Sequence, residues 1–372
     1  MSIRRPRRIL MTADAIGGVW NYCLDLIAGL AFFEVDVVLA VMGSRPSIEQ
    51  KAAAADISNL TLLESDYKLE WMDSPWADVN AAGDWLLSLA RTFEPDLIHL
   101  NGFTHASLSW NVPTMVVAHS CVRSWWAAVK GRPAPSSFNE YTERVSRGLH
   151  QASLVVAPSH AMLAAIDKEY RLIGPTKVIP NGCVRLYRRP SKKKEFILTA
   201  GRLWDEAKNV RLIEAIASNL SWPVYAAGES CGPSGALQQL KHIHYLGSLS
   251  DELLAAILAT APIYASPARY EPFGLTVLEA ALSGCALVLS DIPSFRENWT
   301  GAAILIPPED ASAWQDVLQE FIDYEKLRGE FEQRALERAE KLQPEKVGER
   351  YFKAYCELLN TYEQSKPELA RL

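Results

Sequence analysis

The chain has 372 residues, and at about 150 per domain this length suits two domains, each large enough to bury its own core. It is 49% hydrophobic and 22% charged, with no apolar run approaching the ~18 residues that a membrane span requires, so it reads as a soluble globular protein. A formal net charge of -6 argues against a nucleic acid held by bulk electrostatics, and partners have to be inferred from sites.

The first residues, MSIRRPRRI, are strongly basic, and the apolar run at 9–11 is too short for the core of a signal peptide; the segment reads as a charged arm leading into a strand. From there, short apolar runs ending in Gly, Asn, Ser or Pro alternate with amphipathic stretches of ten or more residues, the signature of repeated βα units and parallel sheets. A first set places strands at 9–13, 35–42, 96–100, 114–118 and 154–157, with helices at 19–30, 84–92 and 138–150. A second set places strands at 196–200, 224–227, 243–246, 263–265 and 286–289. The α/β pattern predicts two doubly wound Rossmann-like domains, over 1–182 and 196–345. Between them, 183–195 carries Arg188, Arg189, Lys192, Lys193 and Lys194 among turn formers and reads as an exposed linker. Residues 346–372 are helical in pattern and could pack back on the first domain. The six cysteines are dispersed, with no Cys-x-x-Cys pair, which favours a reducing cytoplasm over a disulfide scaffold or a structural zinc.

Two open parallel sheets facing a common cleft bind ligands beyond their strand carboxyl ends, so the chemistry is expected at strand-to-helix turns. Four turns stand out. After the first strand, Gly17 and Gly18 let the backbone approach an anion at a helix start, although a tight turn using glycine for geometry alone serves equally well. Opening the second domain, GRLWDEAKN places Arg202 and Lys208 on one loop, where a guanidinium fork and an ammonium suit a diphosphate; merely solvated cations are the competing reading. In EPFGLTVLEAALSG, a helix from Leu275 exposes its first amides, while Glu271 on the turn and Glu279 on the helix are carboxylates suited to sugar or ribose hydroxyls. Glu279 could also be only a surface acid that complements the helix dipole. Finally, His119 ends an apolar strand, either as a hydrogen-bonding group for substrate or as a satisfied core histidine.

Glu271 and Glu279 in E-P-F-G-L-T-V-L-E-A-A-L-S-G, together with G-R-L-W-D-E-A-K-N, the early G-G-V and I-P-N-G at the domain junction, resemble in type and order the retaining glycosyltransferases of family 4. The resemblance covers nearly the whole chain and implies the two-domain GT-B fold. It implies that Gly17 and Gly18 face the diphosphate of a nucleotide-sugar donor, that Arg202 and Lys208 neutralise it, and that main-chain groups at Phe273, Gly274, Leu275 and Thr276 bind phosphate or sugar hydroxyls. By the same resemblance Glu279 holds the ribose, Glu271 the transferred hexose, His119 its 6-hydroxyl, and Leu249 lies in the part lining the nucleobase pocket. His119, Arg202, Lys208 and Glu271 are therefore the expected catalytic group. The sequence departs from many relatives in lacking an acid after the histidine, where Ser120, Cys121 and Val122 follow, so acceptor-side contacts do not carry over.

No Asp-x-Asp occurs in the sequence, which removes the usual carboxylate clamp for a metal-bound sugar nucleotide; metal independence and no further cofactor are expected. His242 and His244 flank Ile243 and receive no role, and Gly228-Glu229-Ser230-Cys231-Gly232 is read as a glycine-rich loop before a serine-hydrolase turn. The expected activity is transfer of a hexose, from UDP-glucose or a close UDP-hexose, to a glycan or lipid-linked saccharide. The acceptor is expected on the first domain near Trp20, Trp125 and Trp126, whose ring faces can pack on sugar C–H surfaces, and nearby Asn21, Trp71 and Trp76 belong to the same expectation. Peripheral contact with the inner membrane face stays open. A nucleotide-sugar epimerase or a non-catalytic sugar-nucleotide-binding protein are the competing functions.

Overall fold

A computed structural model describes residues 4–182, 191–232, 240–342 and 344–369. By its contacts the chain divides into two units, one of Met1–Trp126, Pro133–Asn181 and Pro344–Leu372, the other of Ala127–Arg132 and Gly182–Gln343.

The strands of the first unit are β1 (Arg8–Asp14), β2 (Asp36–Met42), β3 (Leu60–Glu64), β4 (Leu97–Leu100), β5 (Thr114–Val117), β6 (Leu154–Ala157) and β7 (Thr176–Val178). They form one sheet in the order β3-β2-β1-β4-β5-β6-β7, every pair parallel. The connections carry α1 (Gly18–Leu30), α2 (Ile48–Ala55), α3 (Trp76–Phe93), α4 (Val122–Lys130), α5 (Asn139–Gln151) and α6 (His160–Tyr170). Because successive strands run the same way, each connection must cross back over a sheet face, and helices provide that crossover. The central strands β4, β5 and β6 are buried along their whole length, which is why they read as unbroken apolar runs.

The second unit repeats the plan with β8 (Ile197–Ala200), β9 (Val224–Ala227), β10 (His244–Tyr245), β11 (Ile263–Ser266), β12 (Ala286–Ser290) and β13 (Ile304–Ile306), in the parallel order β10-β9-β8-β11-β12-β13. Its two apolar layers follow directly from the period of two along each strand. In β12, Leu287 and Leu289 enter one layer while Ala286 and Val288 enter the other; in β11, Tyr264 opposes Ile263 and Ala265 in the same way. Helices α9 (Leu275–Leu282) and α12 (Glu325–Ala339) cover the first face, and α7 (Val210–Ile216) and α11 (Ala311–Asp323) the second. Burying each Leu, Ile or Phe of these layers is worth about 1.5–3 kcal/mol, so the sheet is the stabilising centre of the unit. Two further helices, α8 (Asp251–Thr260) and α10 (Pro293–Trp299), complete the crossovers.

Both doubly wound parallel sheets are present as the sequence predicts. The strands it does not disclose are β3, β7 and β13, all at sheet edges, short and partly exposed, so that no clean apolar run marks them. The expected strand at 243–246 shrinks to His244–Tyr245, again an edge. Residues 183–190 of the expected linker, with Arg188, Arg189 and Cys183, lie outside the described residues. Lys193, expected to be exposed, is instead half-buried and donates to the carbonyls of Ala261 and Ser283, each at 2.8 Å. The other five cysteines, Cys23, Cys121, Cys231, Cys285 and Cys356, are unbonded thiols. No helix among the described residues is long and apolar enough to cross a membrane.

The last helix, α13 (Pro344–Leu369), belongs to the first unit and packs along α1. Val347, Tyr351, Ala354, Tyr355 and Leu358 recur at helical spacing and are all buried. Closest approach is between two glycines: a Cβ added to Gly348 would lie 2.9 Å from the carbonyl carbon of Gly29. Backbone cannot yield as a flexible side chain can, so a larger residue must push the helices apart. Gly348→Leu is expected to destabilise the protein by about 1–3 kcal/mol, read as a lowered urea midpoint and Tm; wild-type stability in the variant would show that the helices do not pack as described.

Candidate active site

In a sheet ordered like these, the strand order reverses beside the first strand, and ligands bind beyond the strand carboxyl ends at that switch point. In the first unit the reversal lies between β1 and β4, in the second between β8 and β11. Gly17 and Gly18 follow β1, His119 follows β5, Arg202 and Lys208 follow β8, and Glu271 follows β11.

In the first unit, β1 ends at Asp14, whose Oδ1 accepts from the Ile16 amide at 2.9 Å and closes the turn. Gly17 then caps α1 with φ 86° and ψ -150°, a backbone state that essentially only glycine adopts. No side chain caps this helix, and Gly17 and Gly18 are exposed, so a ligand can approach the first amides.

Beyond β4, Asn101 organises the edge. Its Nδ2 donates to the carbonyl of Thr12 at 2.7 Å, which fixes the amide orientation and leaves Oδ1 as the acceptor facing His119 Nε2 at 2.8 Å. His119 must therefore carry its proton on Nε2 and present an unprotonated Nδ1. Burial pushes its pKa down to about 3, so the ring is neutral at physiological pH and can accept a hydroxyl proton in a hydrogen bond but is a poor general acid. Behind it, fully buried His99 contacts Asn101 Oδ1 through Nε2 at 3.3 Å and the Tyr355 hydroxyl of α13 through Nδ1 at 2.7 Å, and burial lowers its pKa to about 3 as well.

In the second unit, β8 leads into Gly201 and the loop 201–209. A Cβ on Gly228, just after β9, would lie 1.8 Å from the Gly201 carbonyl oxygen, so the two loops pass main chain to main chain. Arg202 donates from Nη2 to Asp205 at 3.0 Å, and its guanidinium lies 5.6 Å from the centre of the Trp204 ring. Asp205 is itself buried and accepts from the Ala207 amide at 2.9 Å. Lys208 forms an ion pair with Glu271, which sits across the switch point on the loop after β11. The main chain joins the same two loops, the Arg269 amide donating to the Ala207 carbonyl at 2.8 Å. Gly274 then caps α9 without any side-chain cap, and Leu275 and Thr276 are half-buried at its first turn. Glu279 lies one turn further in and is only 5% exposed; it is not the surface acid of the alternative reading. Leu249 is half-buried next to Gly247, whose carbonyl accepts from the Gly228 amide at 2.8 Å. The structure thus brings Arg202, Lys208, Glu271 and the start of α9 to one edge of one sheet.

One expectation needs correction. Trp20 is 1% exposed and packs within the core of the first unit, so its ring has no face to offer a sugar. The Phe273 side chain, 3% exposed, belongs to the apolar layer with Val277 and Phe295, which leaves only its main chain for a donor. Trp125 and Trp126 are half-buried and stack edge to face, with ring centres 5.7 Å apart. Trp71 is 39% exposed, whereas Trp76 lies under the Arg144 guanidinium at 4.4 Å. Ser230 donates to the Tyr245 hydroxyl at 3.0 Å rather than to an imidazole, so the Gly-x-Ser-x-Gly match lacks a base for nucleophilic chemistry, and residues 233–239 beyond it lie outside the described residues. Among the described residues no cluster of three His, Cys, Asp or Glu is arranged to hold a metal ion. Sequence reasoning overlooks Asn101 and Glu70, whose carboxylate accepts from the Phe103 and Thr104 amides at 3.1 and 2.8 Å; nothing in their local pattern marks them.

Residues 16–184 match the model of the Glycosyltransferase Family 4 domain, and 188–338 that of Glycosyl transferases group 1. These matches span both units, and the chain belongs to the family 4 type of glycosyltransferases, with the GT-B fold. It is 29% identical over 117 residues to phosphatidyl-myo-inositol mannosyltransferase of Mycolicibacterium smegmatis, a match covering 31% of this chain and 30% of that protein. Sucrose-phosphate synthase from Thermosynechococcus elongatus shares the fold with a TM-score of 0.78 at 17% identity, covering 95% of this chain and all of that one. HepE of Anabaena, in complex with UDP and glucose, shares it with a TM-score of 0.71 at 16% identity, covering 94% and 99% of the two chains.

Fully buried His99 and half-buried His119, both desolvated, make stability depend on pH. Each has a folded pKa near 3 against an ordinary value of 6.5, so between these values the unfolded chain binds more protons than the folded one. Their contribution is complete above pH 6.5 and is lost as pH falls toward 3. Urea unfolding at pH 7.5 and 5.0 should show a smaller unfolding free energy at the lower pH, and His99→Gln should flatten that dependence. An equal slope in the variant would contradict the burial of a neutral His99.

Proposed function

We propose that the protein transfers a hexose from a nucleoside-diphosphate sugar, UDP-glucose or a close UDP-hexose, to a hydroxyl of a glycan or lipid-linked saccharide, with retention of anomeric configuration and without a metal ion. The reading is carried by the second sheet's switch point, where Arg202 and Lys208 on one side meet the uncapped start of α9 on the other. Two fixed cations and free helix amides form a preorganised site for a leaving diphosphate, whose charge grows as the glycosidic bond breaks. That field is what a metal would otherwise supply.

Glu271 plays a double part in this scheme. Its carboxylate is paired with Lys208, and the carboxylate oxygens accept hydrogen bonds from hydroxyls of the transferred sugar. Glu279, held inside α9, receives the ribose hydroxyls. His119, neutral with Nδ1 unprotonated, accepts from the sugar's 6-hydroxyl. No carboxylate is assigned to attack the anomeric carbon. The C–O bond to the diphosphate breaks, the acceptor oxygen bonds to the anomeric carbon on the same face, and the acceptor proton passes to an oxygen of the departing phosphate. Half-buried Trp125 and Trp126, together with the more exposed Trp71, are among the acceptor-side candidates left once Trp20 is assigned to the core.

A mannosyl donor is the second reading, favoured by the mannosyltransferase relative. An epimerase is disfavoured because it needs an acid and a base poised near neutrality beside the sugar ring, and His119 is not one. A thermal-shift screen of nucleotide sugars identifies the donor, since a ligand bound only by the folded state raises Tm. UDP-glucose or a close UDP-hexose is expected to give the largest shift, and incubation with a saccharide acceptor in EDTA is expected to yield a glycoside with the donor's anomeric configuration. An inverted product, chelator-sensitive turnover restored by magnesium, or a rearranged nucleotide sugar in place of a glycoside would each refute the corresponding part.

A further inference from the structure

We infer that Asn209 is the positioning residue of the diphosphate site: its side-chain amide ties the loops after β8, β11 and β13 together and thereby holds Lys208 in place. The inference rests on the reading that Lys208 meets the donor diphosphate.

Asn209 follows Lys208 directly and ends the short turn Glu206–Lys208, its amide donating to the Glu206 carbonyl at 3.2 Å. It has φ 52° and ψ 33°, the left-handed state that among ordinary residues Asn adopts most readily. That conformation reverses the chain between Lys208 and α7. Conformation alone would be served as well by glycine. What asparagine adds is its amide, 7% exposed, whose Nδ2 donates to the Pro267 carbonyl at 3.0 Å and to the Pro308 carbonyl at 2.9 Å. Both N–H bonds are spent on main-chain oxygens of two other strand-end loops. Pro267 lies four residues before Glu271, the partner of Lys208, so one amide fixes the spacing between the lysine and its carboxylate across the switch point.

A lysine on a four-carbon stem has many rotamers, and it neutralises a phosphate effectively only if its Cα is held where the ammonium can reach. Lys208 packs its stem against Gly201, with Cδ 3.5 Å from the position of a Cβ there, and pairs its ammonium with Glu271. Removing the Asn209 amide leaves the left-handed turn and the Arg269–Ala207 hydrogen bond in place but frees the lysine-bearing segment from the loop that carries Glu271. The effect should fall on the phosphate that Lys208 contacts and spare the rest of the nucleotide.

The test uses Asn209→Gly and Lys208→Ala in the full chain, with UDP and UMP as probes, or the di- and monophosphate of whichever base the donor screen selects. Calorimetric titration should show UDP affinity falling about tenfold in both variants and UMP affinity changing by less than about twofold, and kcat should fall with Asn209→Gly. If Lys208→Ala leaves the preference for diphosphate over monophosphate unchanged, the assignment of the lysine to the diphosphate is wrong. Should Lys208→Ala abolish that preference while Asn209→Gly retains it, the lysine assignment stands and the positioning role is overturned. Equal losses of both nucleotides in Asn209→Gly together with a lowered Tm, complete unfolding included, also overturn it, because the asparagine then only holds the unit together.

Discussion

Every strand of both sheets runs parallel to its neighbours, and that constraint governs where chemistry can occur in this protein. A parallel strand delivers its carboxyl end to the same edge as all the others, and crossover helices such as α1 and α9 begin there with first-turn amides that no side chain caps. The edge is therefore rich in hydrogen-bond donors before any side chain is considered. Where the strand order reverses, adjacent connections leave to opposite faces, and the loops diverge enough to admit a ligand. Asp14 to Gly18 and Asn101 flank that point in the first unit; residues 201–209 and 267–276 flank it in the second.

Charge is added to this edge in compensated form. Arg202 is paired with buried Asp205, and Lys208 with Glu271, so neither cation is left half-buried without an anion. The pairing also orients the groups. On the proposed reading, a diphosphate entering the site would meet cations already aimed by their acids, with little reorganisation needed as charge develops on the leaving group. In the first unit the same economy of orientation is achieved without charge. Thr12 fixes the amide of Asn101, Asn101 fixes the tautomer of His119, and burial keeps the imidazole neutral. The C-terminal helix joins this network through Tyr355 and His99, and it also packs closely on α1 through facing glycines.

What the sequence disclosed follows burial. Strands such as β12 contribute side chains to two apolar layers and must be apolar at every position, so ALVLS is legible as a strand. Edge strands such as β3 and β7 need no such composition and leave no trace. At the candidate site, residues within one contiguous motif, Arg202 with Lys208 and Glu271 with Glu279, could be read together because spacing along the chain constrains them. Asn101 and Glu70 act by hydrogen bonds to distant segments, a property no local pattern encodes. Trp20 departs from expectation for a different reason: a tryptophan near a predicted strand-end loop suggests a ring face for a sugar, whereas on a helix starting at Gly18 that ring is buried. Asn209 was visible only as the end of a motif, and its part emerged from the two carbonyls its amide reaches.

The central claim is that the switch-point loops of the second sheet are where the donor binds. Amide hydrogen exchange with and without a saturating nucleotide sugar addresses it directly, since a ligand that bridges loops suppresses their local opening. Peptides spanning 201–209 and 271–279 should exchange more slowly with the donor bound, while β12, already buried on both faces, should be unchanged. Unaltered exchange in both loop segments under saturation, with protection appearing elsewhere in the chain, would contradict it.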